Sequence, residues 1–492
     1  MTSTPRALAC AAAAALLAAC TVGPNFRPPV TASADGYAMP GDDANAGRVR
    51  AAIGEKVVSD WWTLFRSPEL DEVLREAVAG SPTLAEARAR LEAAREAVKA
   101  ESGQLMIDAN AGAERERANL NAFSGGSFTK TIPGFPSFPT NPEFSLYSIG
   151  GTVSYNLDPF GGVRRRTESL RASEEAQERE LDAAYLTLTG QVVAQAFTIA
   201  DANLQMDELN DIVAKDQADL DMVKRAHAAG GASDADVAGV ESQLAQDQSE
   251  LPGQRQRLEA AKHALAILLG KAPANWTAPD FTARSFTMPE TLPVSVPSEL
   301  VHKRPDILEA EAKLHAAIAE VGVATANLYP NINLTASLEE TALSPQTVFS
   351  PTSTAWTLAA GLTAPIFHSG ELKAKQREAQ ANARAALAAY ELTVLRAFGQ
   401  VADVLSAITH DNQAYEAQSR ALDAAQARVT MMRAGYAAGG VSELELVDAE
   451  RSWAHTRLAV TQQSYSTAGD AALLLLATAD VPPGAAAETK TP

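Results

Sequence analysis

The chain has 492 residues, 46% of them hydrophobic, 6% aromatic and 21% charged, and 60 acidic against 41 basic side chains give a formal net charge of −19. That length allows ~2–4 ordinary domains with ample apolar content for a core, so wholesale disorder is excluded, and the acidic balance argues against nucleic acid as a partner. Two cysteines make no disulfide framework, and no apolar run reaches the ~20 residues of a spanning helix.

The first residues read as an export address. Met1 to Arg6 form a short positive region, and Ala7 to Leu17 form an apolar stretch too short to span. Leu17-Ala18-Ala19-Cys20 has the form of a lipobox, in which small residues precede a cysteine that becomes the acylated N-terminus. Residues 1–19 are therefore expected to be removed. Cys20 is expected to carry an S-diacylglycerol and an N-palmitoyl chain, which anchor a protein without making it span. No other cofactor is expected. Thr21 stands where an aspartate would favour retention at the inner membrane, so sorting to the outer membrane of a Gram-negative bacterium is the expectation.

An internal repeat decides the architecture. Met222 to Ser233 reads MVKRAHAAGGAS and Met431 to Ser442 reads MMRAGYAAGGVS, displaced by 209 residues. Upstream of the second copy, Leu387, Val394, Val401, Ile408, Tyr415, Leu422, Val429 and Tyr436 recur at strict sevens. Moved back by 209, the register gives Tyr185, Val192, Ile199, Met206, Val213, Leu220 and His227. A seven-residue period means long helices that pack along their length. Gly230-Gly231 and Gly439-Gly440 supply left-handed caps, and Ser233 or Ser442 then starts a return helix. The sequence thus predicts two helical hairpins, over 163–269 and 371–478, with tips at Gly230, Gly231, Ala232, Ser233 and at Gly439, Gly440, Val441, Ser442. Pro252 is expected to interrupt and bend the first return helix.

Away from the tips the period changes to two. Tyr147, Ile149, Gly151, Val153, Tyr155 and Leu157 alternate with polar residues, as do Ile332, Leu334, Ala336 and Leu338, and then Trp356, Leu358, Ala360 and Leu362. Strands are predicted near 107–118, 146–158, 331–339 and 355–365, with long Gly/Pro/Ser loops at 119–144 and 341–353. About ten residues is the length of a tilted strand in a bilayer. Four strands cannot close a barrel, and an open sheet cannot stand in lipid, so several chains must share one barrel if the strands are membranous.

No catalytic constellation is visible. The seven histidines show no metal-ligand spacing, no G-x-S-x-G occurs, and the one cysteine left after processing is the anchor, so an enzyme is not expected.

Several motifs resemble the TolC-like outer-membrane efflux family, in its lipoprotein branch. They are Cys20-Thr-Val-Gly-Pro-Asn-Phe-Arg-Pro-Pro29, Trp61-Trp62 followed by Leu70, Lys303-Arg-Pro-Asp-Ile-Leu-Glu-Ala-Glu-Ala-Lys-Leu314 and Asn327-Leu-Tyr-Pro-Asn-Ile-Asn-Leu334. Ala364-Pro-Ile-Phe-His-Ser-Gly370, its counterpart Leu157-Asp-Pro-Phe-Gly-Gly162, and Ala437 to Ser452 complete the set. The resemblance implies a mainly α chain with membrane β, a duplicated β-β-α-hairpin unit. As a homotrimer it would form a 12-stranded β-barrel continuous with a 12-helix periplasmic α-barrel. It implies tips that meet a periplasmic adaptor (a membrane fusion protein) and, through it, an inner-membrane pump of the resistance-nodulation-division class. It also implies a periplasmic gate, carried over to Leu444 and Asp448, whose first-repeat equivalents are Ala235 and Gly239; Glu450 would add a second acidic position.

The resulting plan is a signal at 1–19, a lipid-anchored equatorial segment at 20–80, a first repeat at 81–270 and an equatorial segment at 271–300. A second repeat at 301–478 and a tail at 479–492 complete it. The function implied is a passive exit duct for small molecules in a tripartite efflux system. The alternative is a lipidated periplasmic adaptor or scaffold built on helical hairpins.

Overall fold

Two periodicities, seven for helices and two for strands, account for the elements. The computed structural model describes residues 21–30, 36–37, 39, 48–104, 106–119 and 143–481. Cys20, the 119–144 loop except its ends, and the tail beyond 481 lie outside the described residues. In chain order the strands are β1 (Arg50–Ile53), β2 (Asp108–Asn119), β3 (Glu143–Asn156), β4 (Thr291–Val294), β5 (Asn331–Ala342) and β6 (Thr354–Thr363). The helices are α1 (Pro68–Gly80), α2 (Pro82–Gly103), α3 (Gly162–Ala228), α4 (Asp234–Leu268), α5 (Pro297–Lys303), α6 (Pro305–Ala326), α7 (Glu371–Ala437) and α8 (Glu443–Thr478).

The duplication extends further upstream than the tip motif. α2 and α6 are both 22 residues, β2 and β5 both 12, and α3 and α7 both 67. Pro82 and Pro305 stand 223 apart, as do Asp108 and Asn331, whereas the hairpins stand 209 apart. The shorter second loop absorbs the difference, which is why a single displacement does not reveal the whole repeat.

The chain divides into two compact units. The first comprises Met1–Pro28, Ala93–Glu175 and Ala312–Leu387. It holds one antiparallel sheet in the order β2-β3-β5-β6. The hairpin pairings β2·β3 and β5·β6 follow from the sequence; the β3·β5 ladder, with Val153 opposite Ala336 and Tyr155 opposite Leu334, joins the two repeats. β3 starts earlier and stops earlier than predicted. Asp158, at φ 42, has already left the strand and accepts from the amides of Val163 and Arg164 to cap α3.

The second unit comprises Pro29–Glu92, Ala176–Glu311 and Ala388–Pro492. Its core gathers Trp61, Phe65, Leu70, Leu74, Phe281 and Leu292 around the heptad faces of the helices. Parallel pairing of β1 with β4, absent from the sequence prediction, ties the segment before the first repeat to the segment between repeats. Strands of four residues carry too little alternation to be read. Asn412 of α7 adds two bonds to Val49, at 2.8 and 3.2 Å.

The heptad residues of α3 and α7 are buried or half-buried until the last of each series, His227 and Tyr436, which are exposed. Pro252 does not break α4, which runs unbroken from Asp234 to Leu268. Its ring sits on an exposed position. α7 includes an Ala-rich stretch as apolar as a membrane span although no uninterrupted apolar run exists, and only 28% of that stretch is buried in the single chain.

Candidate functional site

Alternation sends successive side chains of a strand to opposite faces, and register decides whether neighbouring strands agree. In the sheet they agree. Ala111 faces Gly151, which faces Leu338, which faces Trp356; one residue along, Asn110 faces Thr152, then Ser337, then Thr357. One face therefore carries Ala109, Ala113, Ile149, Val153, Ala336, Leu338, Leu358 and Trp356. The other carries Asn110, Glu114, Ser148, Thr152, Ser337 and Thr357. The apolar face is bare: Leu338 is 57% exposed, Trp356 75% and Leu358 76%. Toward the loop ends the chemistry turns polar, with Arg115 over the Tyr147 ring at 5.5 Å and Arg117 paired with Glu143 at 2.5 Å. Among the described residues the outer edges of β2 and β6 have no strand partner.

In the second unit the two hairpin tips share one construction. Gly230 and Gly439 adopt φ 77 and 76, a left-handed conformation open to glycine. Gly231 N–H then donates to Ala226 O at 2.8 Å, and Gly440 N–H to Gly435 O at 2.9 Å, which closes each long helix. Ser233 Oγ accepts from Asp236 N–H at 3.2 Å while Ser233 N–H donates to Asp236 at 2.8 Å; Ser442 and Glu445 repeat the exchange at 3.3 and 2.9 Å. The serine amides hold both carboxyls below their ordinary range. This S-x-x-D/E box was legible in the sequence and was missed. One tip pair differs in shape: a Cβ on Gly435 would meet Val441 at 2.5 Å, whereas the first repeat has Ala226 and Ala232 at these places.

The carried-over gate positions lie on α8. Leu444 is 45% exposed, and one turn later Asp448 accepts from Arg428 of α7 at 3.0 Å. Neither gate side chain nor this pair has a first-repeat equivalent, because Ala235, Gly239 and Asp219 occupy those positions. Glu450 is not a free second acid: Arg433 binds it at 2.7 and 2.9 Å, and the pair is duplicated as Lys224–Glu241 at 2.8 Å.

Beyond Leu444 and Asp448, α8 is tied to the first hairpin through charge. Arg451 reaches Asp216 at 3.0 Å and Asp247 at 3.5 Å, His455 lies 3.7 Å from Asp247, and Arg457 pairs with Glu208 and with Asp211 at 3.0 Å. Asp216 and Asp247 are buried at heptad-facing positions, where the second repeat has Ala425 and Thr456. Counting only apolar residues hides them. Burial, with a hydrogen bond that its protonated carboxyl donates to Asp247, pushes the Asp216 carboxyl up to about 7. Against its own burial, Asp247 is held low by hydrogen bonds from Asp216 and Gln243 and by the charges of His455 and Arg451. Asp216 in the fold binds its proton more tightly than an unfolded carboxyl, so its contribution to stability falls as pH rises from about 4 towards 7. Arg451→Ala leaves these acids without their cation. It should cost about 3–5 kcal/mol at neutral pH, the range for breaking one partner out of a buried pair. The deficit in apparent melting temperature should shrink between pH 8 and pH 5.5; a deficit that does not change with pH would contradict the pairing.

A recess of about 570 Å³ between α3, α4 and α8 offers no reactive acid, since Asp201 is already bound by Arg257 at 3.0 Å and Gln205 at 2.7 Å. Among the described residues no group of side chains is arranged to hold a metal.

Residues 73–271 and 296–479, the two repeats, match the family described as Outer membrane efflux protein. The chain belongs to the outer membrane efflux protein family. It is similar to the pyoverdine export outer membrane protein OpmQ of Pseudomonas aeruginosa, 31% identical over 411 residues that cover 82% of this chain and 83% of OpmQ. It is also similar to the cation efflux system protein CusC of Escherichia coli K12, 26% identical over 453 residues, 92% of this chain and 94% of CusC. Among solved structures the outer-membrane channel OprN superposes with a TM-score of 0.81 at 27% identity, covering 94% of this chain and 100% of OprN. As a member of this family the chain is an outer-membrane efflux channel, an exit duct, which sets aside the adaptor reading. Its relatives are transport proteins.

Proposed function

We propose that three copies of the chain close a twelve-stranded barrel in the outer membrane, continued in the periplasm by a barrel of twelve helices. The observation that carries this reading is the open sheet. It has one apolar and one polar face, and two edges that are unpaired among the described residues, which a bilayer does not tolerate. Joining β6 of one copy to β2 of the next satisfies both edges, sends Leu338 and Trp356 to lipid and leaves Ser337 and Thr152 to line water. The α7 stretch, only 28% buried in the single chain, supports the same conclusion, because neighbouring copies would cover it.

In this reading the tips at 230–233 and 439–442 meet a periplasmic adaptor. An inner-membrane pump of the resistance-nodulation-division class supplies the energy, and Cys20, acylated, adds a lipid anchor. Leu444 and Asp448 narrow the closed periplasmic end. Relatives named for pyoverdine export and for cation efflux support a duct that passes small molecules of unlike chemistry, with selection left to the pump.

Two measurements test it. Native mass spectrometry of the detergent-extracted protein should give three copies, and unboiled protein should migrate as a heat-modifiable oligomer; a monomer would reject the shared barrel. Cysteines placed at Ala232 and Val441 should capture an adaptor by crosslinking in cells. Capture only from mid-helix control positions would reject the tip assignment.

A further inference from the structure

The first described residues are not a loose lead-in. In the unit that holds the sheet, Thr21–Phe26 lies on the turn between β3 and α3 and on the flank of α6. Val22 N–H donates to Phe160 O at 3.2 Å. The Arg165 guanidinium, its side chain only 4% exposed, donates to Val22 O at 3.1 Å, Gly23 O at 3.5 Å, Asn25 Oδ1 at 2.6 Å and Glu168 at 2.7 Å. Glu168 in turn sits 3.1 Å from His315 Nε2, and the His315 ring stacks on Phe26 at 4.3 Å between centroids. One continuous network thus grips the segment at both ends.

Three glycines make the fit possible. A Cβ on Gly161, at φ 76, would meet Thr21 at 2.5 Å. A Cβ on Gly23, at φ 94, would meet Gly322 at 2.5 Å, and one on Gly322 would strike the Arg165 stem at 2.8 Å. Glycine inside a helix such as α6 is unfavourable on propensity alone, so Gly322 is explained by this close approach.

Among the described residues the second repeat builds nothing comparable. Moving by 209 turns Arg165 into Ala374 and Glu168 into Arg377. Gly370, at φ 84, has open space where Gly161 has Thr21, and Ile366 and Phe367 are 96% and 82% exposed. The grip is therefore not a requirement of the strand-to-helix turn as such.

We propose that Arg165, Glu168 and His315 form a receptor for the chain's own Thr21–Phe26 segment, which makes it a fixed strut of the first strand-to-helix junction. Its biological use rests on the outer-membrane reading with acylated Cys20; the contact itself does not. Arg165 is a positioning residue: its planar fork serves four acceptors at once, which a lysine cannot reproduce.

Hydrogen exchange on the purified full-length assembly in detergent tests the receptor. A terminal segment outside any helix or sheet ordinarily exchanges without protection. Peptides covering 21–28 should be protected in the wild type and exchange at least about tenfold faster in Arg165→Ala and Arg165→Lys. They should be unchanged in Arg166→Ala, which removes a neighbouring pair with Glu320. Should Arg165→Ala fail to assemble, His315→Ala, which removes the stack on Phe26, should release the same peptides. Protection should persist in protein exported through a leader that is cleaved without acylation. Equal exchange in wild type and both variants, or protection lost with the acyl chain alone, overturns the proposal. The mass of the N-terminal peptide reports acylation separately, so failure of the lipoprotein reading is distinguishable from failure of the receptor.

Discussion

Leu338→Arg and Val153→Arg should each abolish assembly in the outer membrane, whereas Ser337→Arg and Thr152→Arg, one residue away, should leave it largely intact. The register puts Leu338 between Gly151 and Trp356 and Val153 between Ala109 and Ala336, in the middle of the bare apolar face. An arginine facing lipid near the bilayer midplane costs roughly 2–4 kcal/mol, and in the proposed barrel of three copies that would become roughly 6–12 kcal/mol. Ser337 and Thr152 face each other on the polar side, where an arginine remains hydrated. The readout is the heat-modifiable band in outer-membrane fractions. Equal sensitivity on both faces would mean that the sheet is buried on both sides, as in a soluble domain, and reversed sensitivity would turn the barrel inside out.

Why the faces could be read from the sequence, and other features could not, has physical reasons. Strand alternation and heptads are local, period-defined signals, so β3, β5, β6 and both hairpins stand out in one dimension. β2 is the weak case: Ala109, Ala111 and Ala113 give a faint apolar face, and its assignment depends on pairing with β3 along its full length. The β1·β4 pair is short and joins residues about 240 apart, and no periodicity encodes such a contact. Pro252 does not interrupt its helix as a proline in the sequence suggests, and its ring lies on an exposed position. The assignment of Leu444 and Asp448 to a gate comes from resemblance rather than from spacing, and the sequence does not reveal that Arg428 binds Asp448.

The two hairpins have also diverged in a complementary way. The acids at heptad-facing positions of the first, Asp216 and Asp247, are answered by Arg451 and His455 on the return helix of the second. Those bases replace Ser242 and Gln246 of the first repeat. Each hairpin is thus fitted to the other rather than to a copy of itself. Removing one partner of such a pair leaves an uncompensated buried charge, so the acids of the first hairpin and the bases of the second depend on each other.

That division leaves α8 with an exposed leucine and a paired acid in the second repeat only, and it sets the last prediction. Asp448→Ala should raise single-channel conductance in planar bilayers, Leu444→Ala should do the same, and the double variant should exceed both severalfold over the wild type. Ala235 and Gly239, the first-repeat equivalents, should tolerate substitution by serine without effect. The Arg428–Asp448 pair is about half exposed on both sides, so its direct contribution to stability is at most about 1 kcal/mol. Its consequence is therefore electrostatic. Arg428→Ala strips the countercharge from Asp448 and should shift the reversal potential under a salt gradient towards cations, whereas Asp448→Ala should shift it away. Both shifts should fade as ionic strength rises, because exposed charges are screened over ~8 Å at physiological salt. If Asp448→Ala and Leu444→Ala both leave conductance unchanged, the constriction lies elsewhere on the second hairpin. If the two charge variants shift selectivity in the same direction, the pair does not face the water path.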